Sequence, residues 1–212
     1  LNGIGKGTTL SEDSMTTPRT LFAMAGAPAH PSPLDRSALV LIDIQAEYTA
    51  GALPLAGVDA AVAEAARLLE LARRRGVPVV HVAHHGTPGG LFDPEGPGSA
   101  FVPAVAPLDG EVVVTKGLPN SFAGTHLHDR LKAIGRPELI IAGFMTHMCV
   151  SATARAALDL GYRSTLVAAA TATRDLPDPL GGVITAAELQ RAELAALGDR
   201  YAVVVGNHRA WV

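Results

Sequence analysis

The stretch Glu138–Tyr162, ELIIAGFMTHMCVSATARAALDLGY, limits what the chain can fold into more than any other part of it. Leu139-Ile140-Ile141-Ala142 is a continuous apolar run bounded by Gly143, the pattern of a strand buried on both faces. Val150 to Leu160 follows with the small and apolar residues of a packed helix, and Gly161 stands where a C′ glycine would end it. Cys149, the single cysteine among 212 residues, falls where strand passes into helix. The first N–H groups of a helix are unpaired and carry partial positive charge, so a thiol placed there is expected to be drawn toward thiolate. A lone cysteine in apolar surroundings is more often an inert small hydrophobe, so its chemistry depends on its company.

The same alternation runs through the chain from Ser37. Ala38–Ile42 is an apolar run ending in Asp43 and reads as the first buried strand. Val58 to Arg75 has Val62, Ala65, Ala66, Leu69 and Ala72 at helical spacing, with Gly76 as the stop. Val77–Ala83 is a second strand and Glu111–Thr115 a third, ending at Lys116. Between those two lies His84 to Gly110, a Gly/Pro-rich segment long enough to be a lid or binding loop. Thr125–Ile134 reads as a short helix, Ser164–Ala169 as a fifth strand, Ile184–Leu197 as a helix and Tyr201–Val205 as a sixth strand. Strands apolar on both faces and alternating with helices predict an α/β fold. Its form is a three-layer, doubly wound domain with a six-stranded parallel sheet.

A chain of this length with 48% hydrophobic residues can bury one full core, expected over residues 38–212. The formal net charge of −3 and the lack of a basic tract argue against nucleic acid as a partner, and no apolar run reaches the length of a membrane span. One cysteine allows no internal disulfide and gives no sign of secretion, so a cytoplasmic protein is expected. Residues 1–37 read as a flexible tail of Ser, Thr, Gly and Pro, with residues 1–14 foreign to a natural start at Met15. GIGKGTT at 3–9 has the glycines of a phosphate loop, but no strand precedes it and Lys6 is followed by Gly.

In open parallel sheets, ligands bind at the carboxyl ends of the strands, near the switch in strand order. Asp43, Lys116 and Cys149 all fall on that edge: a base, a cation and a nucleophile. Taken singly, Asp43 reads as a turn or cap residue and Lys116 as a solvated lysine; their convergence is what points to chemistry.

These residues also carry a resemblance. LVLIDIQ with Asp43 and Gln45, VVTKGLPNSFAGTHL with Lys116 and Phe122, and GFMTHMCVSATARAALDLGY with Cys149 resemble the isochorismatase-like cysteine hydrolases. That superfamily holds nicotinamidases, N-carbamoylsarcosine amidases and related small-amide hydrolases. The resemblance implies a Cys–Asp–Lys triad at Cys149, Asp43 and Lys116, and a cis peptide between Phe144 and Met145. It also implies an oxyanion hole from the N–H groups of Met145 and Cys149. The implied reaction hydrolyses a C–N bond of a small amide through a thioester.

Tyr48 stands where the family places an aromatic wall, and Phe122, His84, His85, Phe92 and His147 are further candidates for the substrate pocket. Gly51–Asp59 lacks the histidine through which many nicotinamidases hold a metal, so no metal and no cofactor are expected. Two other readings stand beside the amide hydrolase. One is a vinyl-ether hydrolase of the isochorismatase type, a branch that works without the cysteine; the other is a binding protein without turnover. A nucleotide-binding doubly wound protein is disfavoured because no Gly-rich loop follows the first strand. Family resemblance, and an apolar patch expected from Leu91, Phe92, Phe101, Val102 and Val105, predict a homodimer or homotetramer.

Overall fold

A computed structural model describes residues 17–212. The phosphate-loop look-alike at 3–9 and the expected foreign segment at 1–14 lie outside the described residues. Six parallel strands form the central sheet: β1 (Ser37–Ile42), β2 (Val79–His84), β3 (Val112–Lys116), β4 (Glu138–Phe144), β5 (Arg163–Ala172) and β8 (Val203–Val205). Their order is β3-β2-β1-β4-β5-β8. A small hairpin, β6 (Leu176–Pro177) and β7 (Val183–Ile184), leaves the end of β5.

Alternation within the strands builds two cores. Leu39 and Leu41 of β1, with Ile140 and Ala142 of β4, face α2 (Val58–Arg74) through Ala61, Ala65, Leu68, Leu69 and Ala72. Ala38, Val40 and Ile42, with Leu139 and Ile141, face the opposite layer of α3 (Leu127–Ile134), α4 (Ser151–Asp159) and α5 (Ala186–Arg200). Every residue of β1 and β4 is buried. Successive side chains of a strand point to opposite faces, so an unbroken apolar run fills both layers at once.

Three features depart from the sequence pattern. The helix expected from Val150 begins one turn earlier in a different form: Thr146–Val150 is a π-helical turn, with Val150 N–H reaching Met145 O at 3.2 Å, and α4 follows it. The apolar patch expected on the long loop is not formed. Phe92 and Val105 are buried, Phe101 and Val102 are half-buried, and only Leu91 of the five is exposed. The loop turns its apolar side inward because Phe92 has Tyr48 and His84 to pack on, and Val105 has α2. Third, Thr20 caps a one-turn helix, α1 (Leu21–Met24), and Arg19–Arg36 lies against the domain body. Ser32 is fully buried there; its N–H donates to Thr165 Oγ1 and its carbonyl accepts from Trp211 Nε1, each at 2.7 Å.

The order of strands places a switch point between β1 and β4. The chain lays down β1, β2 and β3 in one direction and then restarts on the other side of β1. At this point Ile42 pairs with Gly143, whose φ is +123°. A Cβ on Gly143 would lie 2.0 Å from Ile42 O. Glycine is required there by close approach and by backbone conformation together. Gly143→Ala is expected to lower stability by about 2–4 kcal/mol through that overlap and the strained φ. A chemical-denaturation midpoint unchanged from the parent chain would refute this.

Candidate active site

Three strand ends bring the polar residues together. Asp43 follows β1 directly, in the left-handed region at φ +51°, which Asp tolerates better than most residues. Lys116 ends β3 opposite His84, its registered partner at the end of β2. Cys149 sits in the π-helical turn after β4. Lys116 Nζ lies 2.6 Å from Asp43 Oδ2, 3.2 Å from Cys149 Sγ and 3.1 Å from His84 Nδ1. The ammonium thus faces a carboxylate, a thiol and an imidazole. Neither carboxylate oxygen has an aligned hydrogen-bond donor among the described residues, so the contact with Lys116 is a close ion pair and Asp43 keeps capacity to accept a proton.

Electrostatics here run against the expectation for Cys149. Burial, then the Asp43 carboxylate, pushes its thiol up to about 12, with Lys116 pulling the other way. The position of the thiol within a helical turn counts for less than its removal from water beside an anion. Burial likewise raises Asp43 to about 6, against the attraction of the Lys116 ammonium and the proximity of the Cys149 thiol. The two groups form one coupled pair that holds a single proton across neutral pH. At pH 7 its resting form is a carboxylate and a protonated thiol.

His84 is pushed down to about 4 by burial, then by Lys116 and His85, and is neutral at pH 7. An ammonium can only donate, so His84 Nδ1 accepts and the ring proton lies on Nε2. Asp43, His84 and Cys149 are also spaced like ligands of a metal ion, with donor atoms within 4.8 Å of one another. The Lys116 ammonium already stands against all three. A metal there would meet a fixed positive charge, so the donor set fits a bound ammonium better than a metal.

The remaining candidates separate. Tyr48 is buried in edge-to-face contact with Phe92, ring centroids 4.9 Å apart, and with Phe144 at 5.8 Å. Its hydroxyl is held well above the usual tyrosine range by burial first, then by the neighbouring Cys149 and Asp43. Phe92 also meets His84 edge-on at 5.2 Å, completing an aromatic wall. His85 is half-buried, its N–H donating to Lys116 O at 2.8 Å. His147 points to the end of β5: Nδ1 bonds Thr173 Oγ1 and Nε2 is buried without a partner among the described residues. Phe122 stacks on Tyr162 at 6.1 Å and meets His128 at 6.5 Å, in the layer of α3 and α4. The peptide between Phe144 and Met145 is cis, and the Met145 N–H donates to nothing among the described residues.

Sequence reasoning missed several neighbours. Gln45 is fully buried and bonded to both His84 and the long loop. Glu47, also buried, accepts from Ala52 N–H at 2.6 Å and Phe92 N–H at 3.4 Å. Arg174, just past β5, has a buried Nε without a partner among the described residues, and its charge lowers the proton affinity of His147 after burial has done so. The signal for Gln45 and Glu47 was their place: two polar residues in an otherwise apolar turn directly after Asp43.

A family model described as "Isochorismatase domain" matches residues 37–207. The crystal structure of an isochorismatase from Pseudomonas putida KT2440 superposes with a TM-score of 0.88 at 46% identity, covering 92% of this chain and 100% of that one. A secreted isochorismatase effector of Verticillium dahliae is 34% identical over 87% of this chain and 95% of its own length. A maleamate amidohydrolase of Pseudomonas putida is 37% identical over 62% of this chain and 70% of its own length.

The charge arrangement predicts the reactivity of Cys149. Because its pKa is raised, alkylation by iodoacetamide near pH 7 should be slower than that of a free thiol and should climb steadily toward alkaline pH. Lys116→Ala removes the cation that lowers the thiol and should slow labelling at neutral pH further. A labelling midpoint near pH 7, or a faster Lys116→Ala variant, would contradict the assigned electrostatics.

Proposed function

We propose, for a chain that belongs to the isochorismatase family and is a hydrolase acting on C–N bonds, that it cleaves a small amide-type substrate through a thioester on Cys149. The observation that carries this reading is the contact of one buried ammonium with both the carboxylate of Asp43 and the thiol of Cys149. On this reading Asp43 takes the thiol proton as the sulfur attacks the carbonyl carbon. Proton transfer and attack belong together, because the thiolate is unfavourable in the resting site. Lys116 balances the negative charge as it passes from carboxylate to sulfur.

The carbonyl oxygen becomes an oxyanion, for which the N–H groups of Met145 and Cys149 are the proposed donors; loss of one such donor typically costs about 10²–10³ in rate. Asp43 returns its proton to the departing nitrogen as the C–N bond breaks, leaving the thioester and a free amine. Water then attacks the thioester carbon while Asp43 takes a proton from it. The C–S bond breaks, the acid departs and the proton returns to sulfur. No step calls for a metal or a cofactor. Tyr48, His84, His85 and His147 are the proposed substrate contacts, with Phe92 completing the aromatic wall. Phe122 would reach substrate only by giving up its stack on Tyr162. The Nε of Arg174, buried without a partner among the described residues and felt by both His147 and Tyr48, suits a substrate that carries an acidic group beyond the scissile amide.

The test is an acid quench of the native protein after incubation with small amides, ureides and carbamoyl compounds, read by intact mass. Cys149 should gain the acyl group of the true substrate, and Cys149→Ala should gain nothing and turn nothing over. Asp43→Asn should be nearly inactive, since both half-reactions need the carboxylate. Asp43 must be ionised to accept the thiol proton, so with its pKa raised to about 6, kcat/KM should fall as pH drops through about 6. Turnover by Asp43→Asn near the parent rate would refute the mechanism. Turnover of a vinyl ether that survives loss of Cys149 would favour the isochorismatase-type reaction instead.

The proposed assembly is a homodimer or homotetramer in the cytoplasm. The assembly is supported by exposed apolar residues at the carboxyl edge of the sheet: Leu118, Met148, Leu180 and Val183. No described helix is long and apolar enough to cross a membrane. Light scattering at micromolar concentration should give the mass of two or four chains; the mass of one would refute the assembly.

A further inference from the structure

Asp43, Lys116 and Cys149 are 0%, 3% and 4% exposed, so only a narrow approach over the carboxyl edge leads to them. The long loop 85–110 covers that edge, with Phe92 against both Tyr48 and His84. Its attachment converges on one side chain. Gln45 Nε2 donates to Ser99 O at 2.7 Å and to His84 O at 3.0 Å, while Oε1 accepts from His84 N–H at 2.8 Å. On either side of it, Ala46 N–H donates to Ala100 O at 2.8 Å and Val102 N–H to Ile44 O at 3.0 Å. His84 in turn accepts from Lys116, 3.1 Å away.

We propose that Gln45 is a positioning residue that latches loop 85–110 shut and, through His84, sets the Lys116 ammonium. Release of the loop and relaxation of the cation are then one event. The consequence for catalysis rests on the hydrolase reading above; the latch itself does not. The chemistry of the amide explains why glutamine stands there. Its two N–H donors meet two carbonyls and its oxygen meets an N–H, so one neutral group satisfies the ends of β2 and of the loop together. A glutamate of the same shape would set a carboxylate against two carbonyl oxygens. A methionine would fill the space but leave three backbone groups without partners.

Hydrogen exchange on the parent protein without substrate tests the latch directly. The amides of His84 and Val102 should exchange together, at least tenfold faster than those of β1, through an opening short of global unfolding. Exchange of either amide only with global unfolding, or at unrelated rates, would overturn the proposal. Gln45→Glu and Gln45→Met should each speed exchange across 86–102 at least tenfold, with glutamate the worse. Nitrogen-15 spectra of the His84 ring, identified by their loss in His84→Asn, should show the Nε2–H tautomer in the parent and its erosion in both variants. A Gln45→Glu protein with parental exchange and tautomer would reduce Gln45 to a space filler. Once a substrate is known, Gln45→Glu should lose at least tenfold in kcat with little change in KM. Parental kcat alongside a loosened loop would sever the latch from the cation. Failure to find any turnover would count against the hydrolase reading and leave the exchange result to decide the latch.

Discussion

The ion pair of Lys116 and Asp43 is the constraint on which the rest of the site depends. Both side chains are fully withdrawn from water, and the charges stand 2.6 Å apart. Desolvating two ions costs several kcal/mol each even after relaxation, and their attraction offsets this only in a well-fixed geometry. The fold supplies that geometry by placing each charge at the end of a strand whose residues are locked between two cores. It also supplies the imidazole of His84, which takes up part of the ammonium's remaining donor capacity. A surface pair of the same type would contribute little and hold nothing in place.

The sheet order explains why these groups meet. With β3, β2 and β1 on one side of the switch and β4, β5 and β8 on the other, the crevice opens at the carboxyl ends of β1 and β4. Asp43 comes from one lip and Cys149 from the other, with Gly143 allowing the two strands to close to contact. Lys116 reaches the same point from β3, past His84 at the end of β2. Charge, base and thiol therefore come from three separated parts of the chain, and only the strand register brings them within bonding distance.

The strands and helices that build this register were legible in the sequence, because strands buried on both faces leave unbroken apolar runs and glycines mark the helix ends. Asp43, Lys116 and Cys149 could be placed on one edge by the same reasoning. The sign of the shift at Cys149 could not, since it depends on burial and on a carboxylate 106 residues away in sequence. Phe92 and Val105 read as an exposed patch because a loop without periodicity does not reveal which side faces the core. In the sequence Gln45 stands out only as part of a motif; its bonds go to backbone groups of His84 and Ser99, and backbone partners leave no trace in side-chain pattern. Ser32 is hidden the other way round, its own backbone N–H and carbonyl meeting the side chains of Thr165 and Trp211.

A site this closed limits the states it can pass through. Asp43, Lys116 and Cys149 together carry no net charge when the pair holds one proton, and they keep that neutrality whether the proton sits on oxygen or on sulfur. Moving the proton between them changes the position of charge but not its sum, so the low-dielectric surroundings penalise the move far less than they would penalise net ionisation. Loss of that one proton would leave two anions against one cation, which adds to burial in pushing the thiol up to about 12. A second proton gained would leave the ammonium without its counter-charge, which opposes the burial that raises Asp43 and helps stop that rise at about 6. Lys116 thus does more than stabilise a thiolate. It fixes the proton count of the pair over the pH range between those limits, and in the proposed mechanism the exchange of that proton lets one carboxylate serve first as base and then as acid.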